Sequence, residues 1–558
     1  MGRTNISVAP DRVPGEGMSM LSLKKWQSQR GQFEEAGIAL PAHDVDAARS
    51  LGARSPRWVH FGGGNLYRAF HAEVAQDLLD AGELDRGVVV AETFRPFTVD
   101  EVYGPYGNDI LQVIMNADGT IDERVLASTA DALFVNPDRP NDLERMRAHF
   151  RSPELQMATF TITEKGYGLT GADGALLPYV AQEIEKGPAH AASTMGIVCA
   201  LLLERFEAGA HPIAMVSTDN FSQNGRRFQE AVLTVARGWQ RAGHVSAEFV
   251  DYVADETRVS FPWSMIDRIT PNPSPETESA LKAQGFDDLG LISAGAVNFA
   301  GFSNTEAAHY LVIEDSFPNG RPALERAGVI MCDRETAERA DTMKVTACLN
   351  PLHTCLAVFG CLLGYDRIWK EMENPDLSAL VRGLGYDEDL PVVVDPKVID
   401  PKAFIDELLT KRLPNRSLPD APQRIAADTS QKIPVRFGHT LNAYLAAGRD
   451  VSGLTYIPLT IAGWLRYLLA VDDRGEAFEP SPDPLLGELQ GRLAPVTLGC
   501  DDAGLVHEAV SPILSNREIF ACDLYEAGLG ERVEGMLLEL LRGPGAVEAT
   551  IRKHVRGK

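Results

Sequence analysis

Arg57-Trp-Val-His-Phe61 runs directly into Gly62-Gly-Gly64-Asn-Leu-Tyr-Arg68, and Ala69–Ala81 follows with apolar residues at helical spacing. The first segment reads as a short strand, the glycines as a turn and the third as a helix. A second apolar run, Gly87-Val-Val-Val-Ala91, comes next, with Glu92 just past its end. Strand, glycine turn, helix, strand, acid is the order that a dinucleotide fold requires. Glycines permit the tight turn and a close backbone approach, while the helix N-terminus offers free N–H groups to a pyrophosphate. The expected cofactor contacts are therefore Phe61, Gly62, Gly64, Asn65, Leu66 and Arg68. Glu92 is placed to accept hydrogen bonds from adenosine ribose hydroxyls, which favours NAD; Arg95 close behind it keeps NADP open. Three glycines in a row also make an ordinary flexible turn, and Tyr67 stands where a third fingerprint glycine belongs. On spacing alone both readings stand.

Outward from this turn, Met157–Thr163 and Pro212–Ser217 read as further strands that end in polar residues. Ligands of open parallel sheets bind beyond the carboxyl ends of the strands. Thr163-Glu-Lys-Gly-Tyr167 and Ser217-Thr-Asp-Asn220 fall there, so Thr163, Glu164 and Asn220 join the expected cofactor contacts. Beyond about residue 340 the pattern turns helical, clearest at Cys348–Leu363, Ala403–Leu409 and Leu459–Leu469. Pro- and Asp-rich loops separate these segments at Pro414–Pro422 and Pro480–Pro484. The expected fold is α/β: a surface arm over 1–50 with a helix near Leu23–Ala36, a Rossmann-like dinucleotide-binding domain over 51–335, and a mainly helical substrate domain over 336–558.

Composition narrows the function. Fifty-three basic against 78 acidic residues give a net charge of −25, a field that repels nucleic acid and anionic lipid. An anionic substrate then needs a local basic pocket. The seven cysteines form no CxxC pair and no zinc-ligand spacing, so no metal site is expected. Cys348, Cys355 and Cys361 recur in an apolar stretch and read as buried small hydrophobes. No apolar run reads as a membrane span and the first twenty residues are too polar for a signal peptide, so a cytoplasmic protein, monomeric or a small homo-oligomer, is expected.

In order along the chain, Val59-His-Phe-Gly-Gly-Gly64 with Arg68-Ala69, Thr161-Ile-Thr-Glu-Lys-Gly-Tyr167, Asp219-Asn220 with Asn224-Gly225, and Phe261-Pro-Trp-Ser-Met-Ile-Asp-Arg-Ile-Thr-Pro271 resemble the polyol-specific long-chain dehydrogenases. So do Val312-Ile-Glu-Asp315 with Gly320-Arg-Pro322, Lys344 with Leu349-Asn350 and His353, Asp428-Thr-Ser-Gln-Lys-Ile-Pro434 with Arg436, and Ala462-Gly-Trp-Leu-Arg-Tyr467. This family includes mannitol 2-dehydrogenases, fructuronate reductases and tagaturonate reductases. The resemblance implies a Rossmann-like domain, a helical C-terminal domain and metal-independent hydride transfer in the cleft between them. Its catalytic lysine, with the following asparagine and histidine, falls on Lys344, Asn350 and His353. Its further asparagine falls on Asn220 and its Met-x-Asp-Arg acid on Asp267.

Hydride transfer to a ketone builds negative charge on oxygen, which calls for a proton donor and fixed hydrogen-bond donors. A lysine supplies that proton if burial lowers its pKa from ~10.4. Asn220 and Asn350 offer amide donors, His353 orients the lysine or binds a hydroxyl, and Asp267 accepts from substrate hydroxyls. Taken singly, the bland readings prevail: a lone lysine is a solvated charge, a lone histidine a satisfied core residue, Asp267-Arg268 an ion pair. Two departures from the family pattern matter. Six positions rather than five separate Lys344 from Asn350, which rotates Lys344 by about 100° on an unbroken helix. Asn350-Pro351 suits an N-cap and first helical position, so a helix break or π-bulge is expected there. Trp263 replaces a usual asparagine. A carboxylate substrate favours a basic pair, and Lys432 and Arg436 supply one, unless they are exposed caps. Reduction of D-fructuronate to D-mannonate is the first expectation. Oxidation of D-mannitol, reduction of tagaturonate, a non-redox epimerase with retained NAD, and a non-catalytic sugar-binding protein are the alternatives.

Overall fold

The computed structural model describes residues 20–171, 173–295 and 297–557. Six parallel strands carry its first unit: β1 (Trp58–Phe61), β2 (Val88–Glu92), β3 (Thr129–Phe134), β4 (Met157–Phe160), β5 (Ile213–Ser217) and β6 (Val259–Ser260). They lie in the order β3-β2-β1-β4-β5-β6, so the order reverses between β1 and β4. Such a reversal leaves a crevice at the carboxyl ends of its two strands, where ligands of doubly wound sheets bind.

Alternation along each strand explains why both faces are apolar. Val59, Phe61, Val89, Ala91, Ala158 and Phe160 face one core, built with α2 (Thr194–Glu207) and α3 (Asn224–Arg241). Trp58, Val88, Val90 and Met157 face the other, against Tyr67, Phe70 and α1 (Ala72–Asp80). Register follows these contacts, with Phe61 opposite Ala91 of β2 and Phe160 of β4.

A small sheet joins β7 (Ser264–Asp267) antiparallel to Tyr310–Glu314, which pairs in parallel with Ile330–Cys332. Ile110–Met115, Ile121–Leu126 and Phe302–Glu306 form another three-stranded sheet.

The described part of the first fifty residues is no surface arm. Leu21, Leu23, Trp26, Phe33, Ile38 and Val45 are buried in one core with Phe286 and Phe302. The helix expected over Leu23–Ala36 is a short 3-10 turn, Leu23–Lys25, and a helix, Arg30–Glu35. These anchors are spaced irregularly among polar residues, so no period marked them as core. Residues 1–19 of the expected arm lie outside the described residues.

The chain divides after Glu338 into two compact units. The second, from Arg339, has no strand among its described residues beyond an isolated bridge between Val471 and Ala477. α4 (Arg334–Met343), α5 (Asn350–Leu363) and α6 (Tyr456–Leu468) are its main signposts. By length and composition alone the helical stretch over Arg334–Leu363, interrupted at Leu349, passes for a membrane span. Its apolar window, however, is 83% buried inside the fold.

Candidate active site

In the first unit, the turn after β1 is built by crowding. Gly62 adopts φ +101, and a Cβ there would stand 2.1 Å from the Thr161 carbonyl oxygen. Any other residue is excluded by both sterics and backbone angle. A Cβ on Gly63 would meet Tyr103 and Val90 at 2.9 Å, whereas one on Gly64 meets nothing within 4 Å. The constraint thus falls on Gly62 and Gly63, and the sequence had not singled out Gly63. The helix behind the turn opens with a π-turn, Tyr67–His71, before α1.

Glu92, at the end of β2, accepts the Gly63 N–H at 2.6 Å. Burial pushes its carboxyl up to about 7, against the opposing pull of that N–H and of Arg95. Tyr103 donates its hydroxyl to the Gly63 carbonyl. These contacts fix the turn where β1 reaches the crevice. The tight glycine turn at the carboxyl end of β1 and an acid one strand over fit a dinucleotide.

Two expected contacts lie elsewhere. Phe61 is wholly buried with its ring stacked on Phe160 at 4.7 Å, because β1 is covered on both faces. Arg68 is also wholly buried, and its guanidinium donates to the Ala300 carbonyl at 2.6 Å, tying the π-turn to the body of the unit. Neither side chain is presented at the turn. Leu66 is half-buried beside the α1 core, and Asn65 donates to Asn272.

Beyond β4 and β5, Asp219 joins the two loops. Its carboxylate accepts the N–H groups of Ile162 and Thr163 at 2.9 Å and the Tyr167 hydroxyl at 2.8 Å. Thr163 is held at φ +65, a costly conformation for a β-branched residue. Glu164 is exposed and pairs with Arg227. Asn220 follows Asp219 at the surface. Asn224, wholly buried, donates to Asp219 O and to Ser264, while Ser264 donates its hydroxyl to Ser217 O. That stitch sets the start of β7, whose last residue is Asp267. Arg268 binds the Ala69 carbonyl and Glu73. Trp263 stacks beneath the Arg334 guanidinium. Asp219 was quoted among the motif residues without a role; an acid at the carboxyl end of a central strand was the available signal.

In the second unit, the extra residue before Asn350 is taken up by a π-turn. Lys344–Cys348 form it, and the Leu349 N–H reaches back five residues to the Lys344 carbonyl at 3.1 Å. Leu349, at φ −121 and ψ −62, breaks the path, and α5 begins at Asn350. A π-turn absorbs one residue, so Asn350 stands to Lys344 as a fifth residue does on an unbroken helix. The N-cap is Leu349, not Asn350, and Pro351 lies one place further in than expected, where its missing N–H costs nothing. Lys344 is 1% exposed.

His353 lies one turn into α5, its Nε2 3.5 Å from Asp420. Burial lowers its pKa, and Arg412, Arg436 and Arg424 lower it further against the pull of Asp420, so the ring is neutral at pH 7. Arg436 sits on a π-turn, Pro434–Gly438, and donates to the Thr354 hydroxyl next to His353. Lys432 donates to the carbonyls of Ile425 and Ala427. Burial and the neighbouring Arg436 push its ammonium down to about 8, and burial takes Arg436 down to about 10. Both are half-buried, not exposed caps. The unit thus gathers His353, Lys432 and Arg436, as the motifs implied, and adds Arg412, Arg424 and Asp420, which no motif marked. Cys348, Cys355 and Cys361 are buried thiols; desolvation raises all three, Cys355 and Cys361 to about 12.

Among the described residues no group of three His, Cys, Asp or Glu side chains is placed to hold a metal ion. The arrangement offers a dinucleotide cradle, a buried amine with neutral donors near it in sequence, and a cationic cluster for an anion.

Comparison with known proteins agrees with this inventory. The family described as the mannitol dehydrogenase Rossmann domain matches residues 56–326, and the mannitol dehydrogenase C-terminal domain matches 340–541. A D-mannonate oxidoreductase of Thermotoga maritima is 46% identical over 530 residues, covering 94% of this chain and 97% of that protein. A mannitol 2-dehydrogenase of Pyrenophora tritici-repentis is 30% identical over 78% of this chain and 73% of its own. The solved Pseudomonas fluorescens mannitol 2-dehydrogenase, a ternary complex with NAD and D-mannitol, is similar with a TM-score of 0.68 at 26% identity, covering 94% of this chain and 97% of that one.

Proposed function

This chain belongs to the mannitol dehydrogenase family, and we propose that within it the chain interconverts D-fructuronate and D-mannonate, working as a reductase of the keto acid. It is an NAD-dependent oxidoreductase acting on a CH–OH group. The observation that carries the mannonate reading is the 46% identity to a D-mannonate oxidoreductase along 94% of the chain. The cationic cluster around His353 supports it, because a uronate brings a carboxylate and mannitol does not.

The crowded turn at Gly62 and Gly63, with Asn65, Glu92, Thr163 and Asn220, would hold the dinucleotide, which in its reduced form would supply a hydride. Lys344 is the residue that would give a proton to the substrate's carbonyl oxygen. Asn350 in the second unit, and Asn220 in the first, are amides able to donate to an oxygen whose negative charge grows, which is the largest electrostatic demand of the step. His353, neutral, holds a substrate hydroxyl, and Asp267 accepts from another. Lys432 and Arg436 bind the carboxylate by charge-assisted hydrogen bonds. On this reading the protein is cytoplasmic, a monomer or a small homo-oligomer, and its partner is its small substrate rather than nucleic acid or membrane.

Oxidation of D-mannitol is the second reading, favoured by the likeness to mannitol 2-dehydrogenases. Following NADH absorbance with D-fructuronate, D-tagaturonate and D-fructose in parallel separates the two. Turnover of the fructuronate, lost in Lys344→Ala, is the expected result; turnover of fructose alone moves the chain to the second reading.

A further inference from the structure

Under the glycine turn lies a chain of hydrogen bonds in which every proton can be placed. Trp58 donates its indole N–H to Thr159 Oγ1 at 2.7 Å. The Thr159 hydroxyl hydrogen is then free for His60, whose Nδ1 stands 2.6 Å away. With the Gly62 carbonyl, an acceptor only, facing Nε2, the ring proton is placed on Nε2 and Nδ1 accepts from Thr159. Nε2 faces Thr161 Oγ1 at 2.9 Å and the Gly62 carbonyl at 3.1 Å, and Thr161 donates to that same carbonyl at 3.0 Å. The opposite tautomer draws the Thr161 hydrogen from the Gly62 carbonyl to Nε2, sets a ring lone pair against that carbonyl oxygen and takes from the Thr159 hydrogen its acceptor on the ring. Burial, with His71 close by, drives the His60 pKa well below its usual value, so the ring is neutral and only the tautomer is in question.

The other end of the same peptide unit is also held. The Gly62 carbonyl belongs to the plane that carries the Gly63 N–H, and that N–H is given to Glu92 at 2.6 Å. Glycine on both sides of this plane leaves it free to rotate, so its orientation rests on what grips its two ends.

We propose that His60 is a positioning residue for dinucleotide binding: as its Nε2–H tautomer it grips the Gly62 carbonyl and, through the 62–63 peptide plane, sets Glu92 toward the adenosine ribose. This rests on the reading of the turn as the cofactor cradle. His60 touches no ligand. It fixes the plane from β1, while Thr161 fixes it from the end of β4, so both strands flanking the reversal in strand order hold one carbonyl.

The test measures NADH dissociation constants, kcat at saturating NADH and melting temperature for His60→Leu, His60→Gln, Thr161→Val and Glu92→Gln. His60→Leu is expected to weaken NADH about tenfold with kcat within about twofold. His60→Gln, which keeps a donor of similar reach, is expected to recover most of that affinity. The double variant of His60→Leu with Glu92→Gln is expected to lose less than the sum of the two. 15N spectra of histidine-labelled protein, assigned with His60→Gln, are expected to show the Nε2–H form at pH 7. An Nδ1–H ring, or unchanged NADH affinity in His60→Leu beside weakened affinity in Glu92→Gln, overturns the role of His60. Unchanged affinity in Glu92→Gln overturns the cradle reading instead. If His60→Leu does not fold, the tautomer and the Thr161→Val affinity, expected to weaken about threefold, decide the matter.

Discussion

At Gly62 the chain turns because a residue without a side chain sits at φ +101 under the Thr161 carbonyl, whereas at Lys344 it turns because a helix spends five residues where four would serve. The first device is made of absence, of a Cβ that cannot be there. The second is made of phase, one residue added to a helix and then sealed by Leu349 and Pro351. Arg68 and Arg436 also sit on π-turns, yet one is sunk in the core and the other gathered into the cationic cluster. A π-turn therefore re-aims a side chain without saying where it goes; neighbours decide that.

The sharpest way to break the comparison is at the lysine. Lys344→Ala is expected to lower kcat about 10³-fold with NADH affinity kept, the scale of losing a general acid; stopped-flow NADH binding beside steady-state rates checks both halves. Deleting Val345 tests phase alone. It removes the one residue that the π-turn absorbs, so the turn closes as an ordinary α-turn, Lys344 keeps its phase to Asn350, and kcat is expected to stay within about threefold. A drop of about 10²-fold, the usual result of misplacing a reacting group, removes phase from the account.

At the glycine turn the contrast is between neighbours. Gly62→Ala is expected to raise the NADH dissociation constant about thirtyfold through backbone strain and overlap, while Gly64→Ala stays within about twofold, since nothing lies near its Cβ. Equal effects at both positions refute the crowding argument. The smallest effect concerns charge. Lys432→Met is expected to raise KM for a uronate about tenfold and leave fructose unaffected. The ammonium is charged below its pKa of about 8 and neutral above it, so wild-type affinity for the uronate falls as pH passes from 7 to 9. In Lys432→Met that slope disappears.

These two turns also differ in how legible they were. Residues 57–92 announce a strand, turn, helix and strand because apolar period and glycine are local signals. Glu92 and the carboxyl ends of β4 and β5 followed from the same logic. Which glycines matter was not legible, since the neighbours that crowd Gly62 and Gly63 include Thr161 and Tyr103, remote in sequence. The side chains of Phe61 and Arg68 lie in the core for the same reason: a residue beside a motif is not thereby at its surface. The π-turn before Asn350 was inferable as one residue too many plus a proline. Trp26 and Phe33 were missed as core because nothing periodic surrounds them, and Arg412 and Asp420 were missed because only the packing of the helices brings them to His353.

The buried thiols that follow Lys344 along the chain carry one more consequence. Cys348 shares its π-turn with Lys344, and Cys355 and Cys361 follow on α5, all held as thiols by burial. Peroxide and alkylating electrophiles react with thiolate, not thiol. Cysteines held in this way offer peroxide and alkylating agents no thiolate to attack.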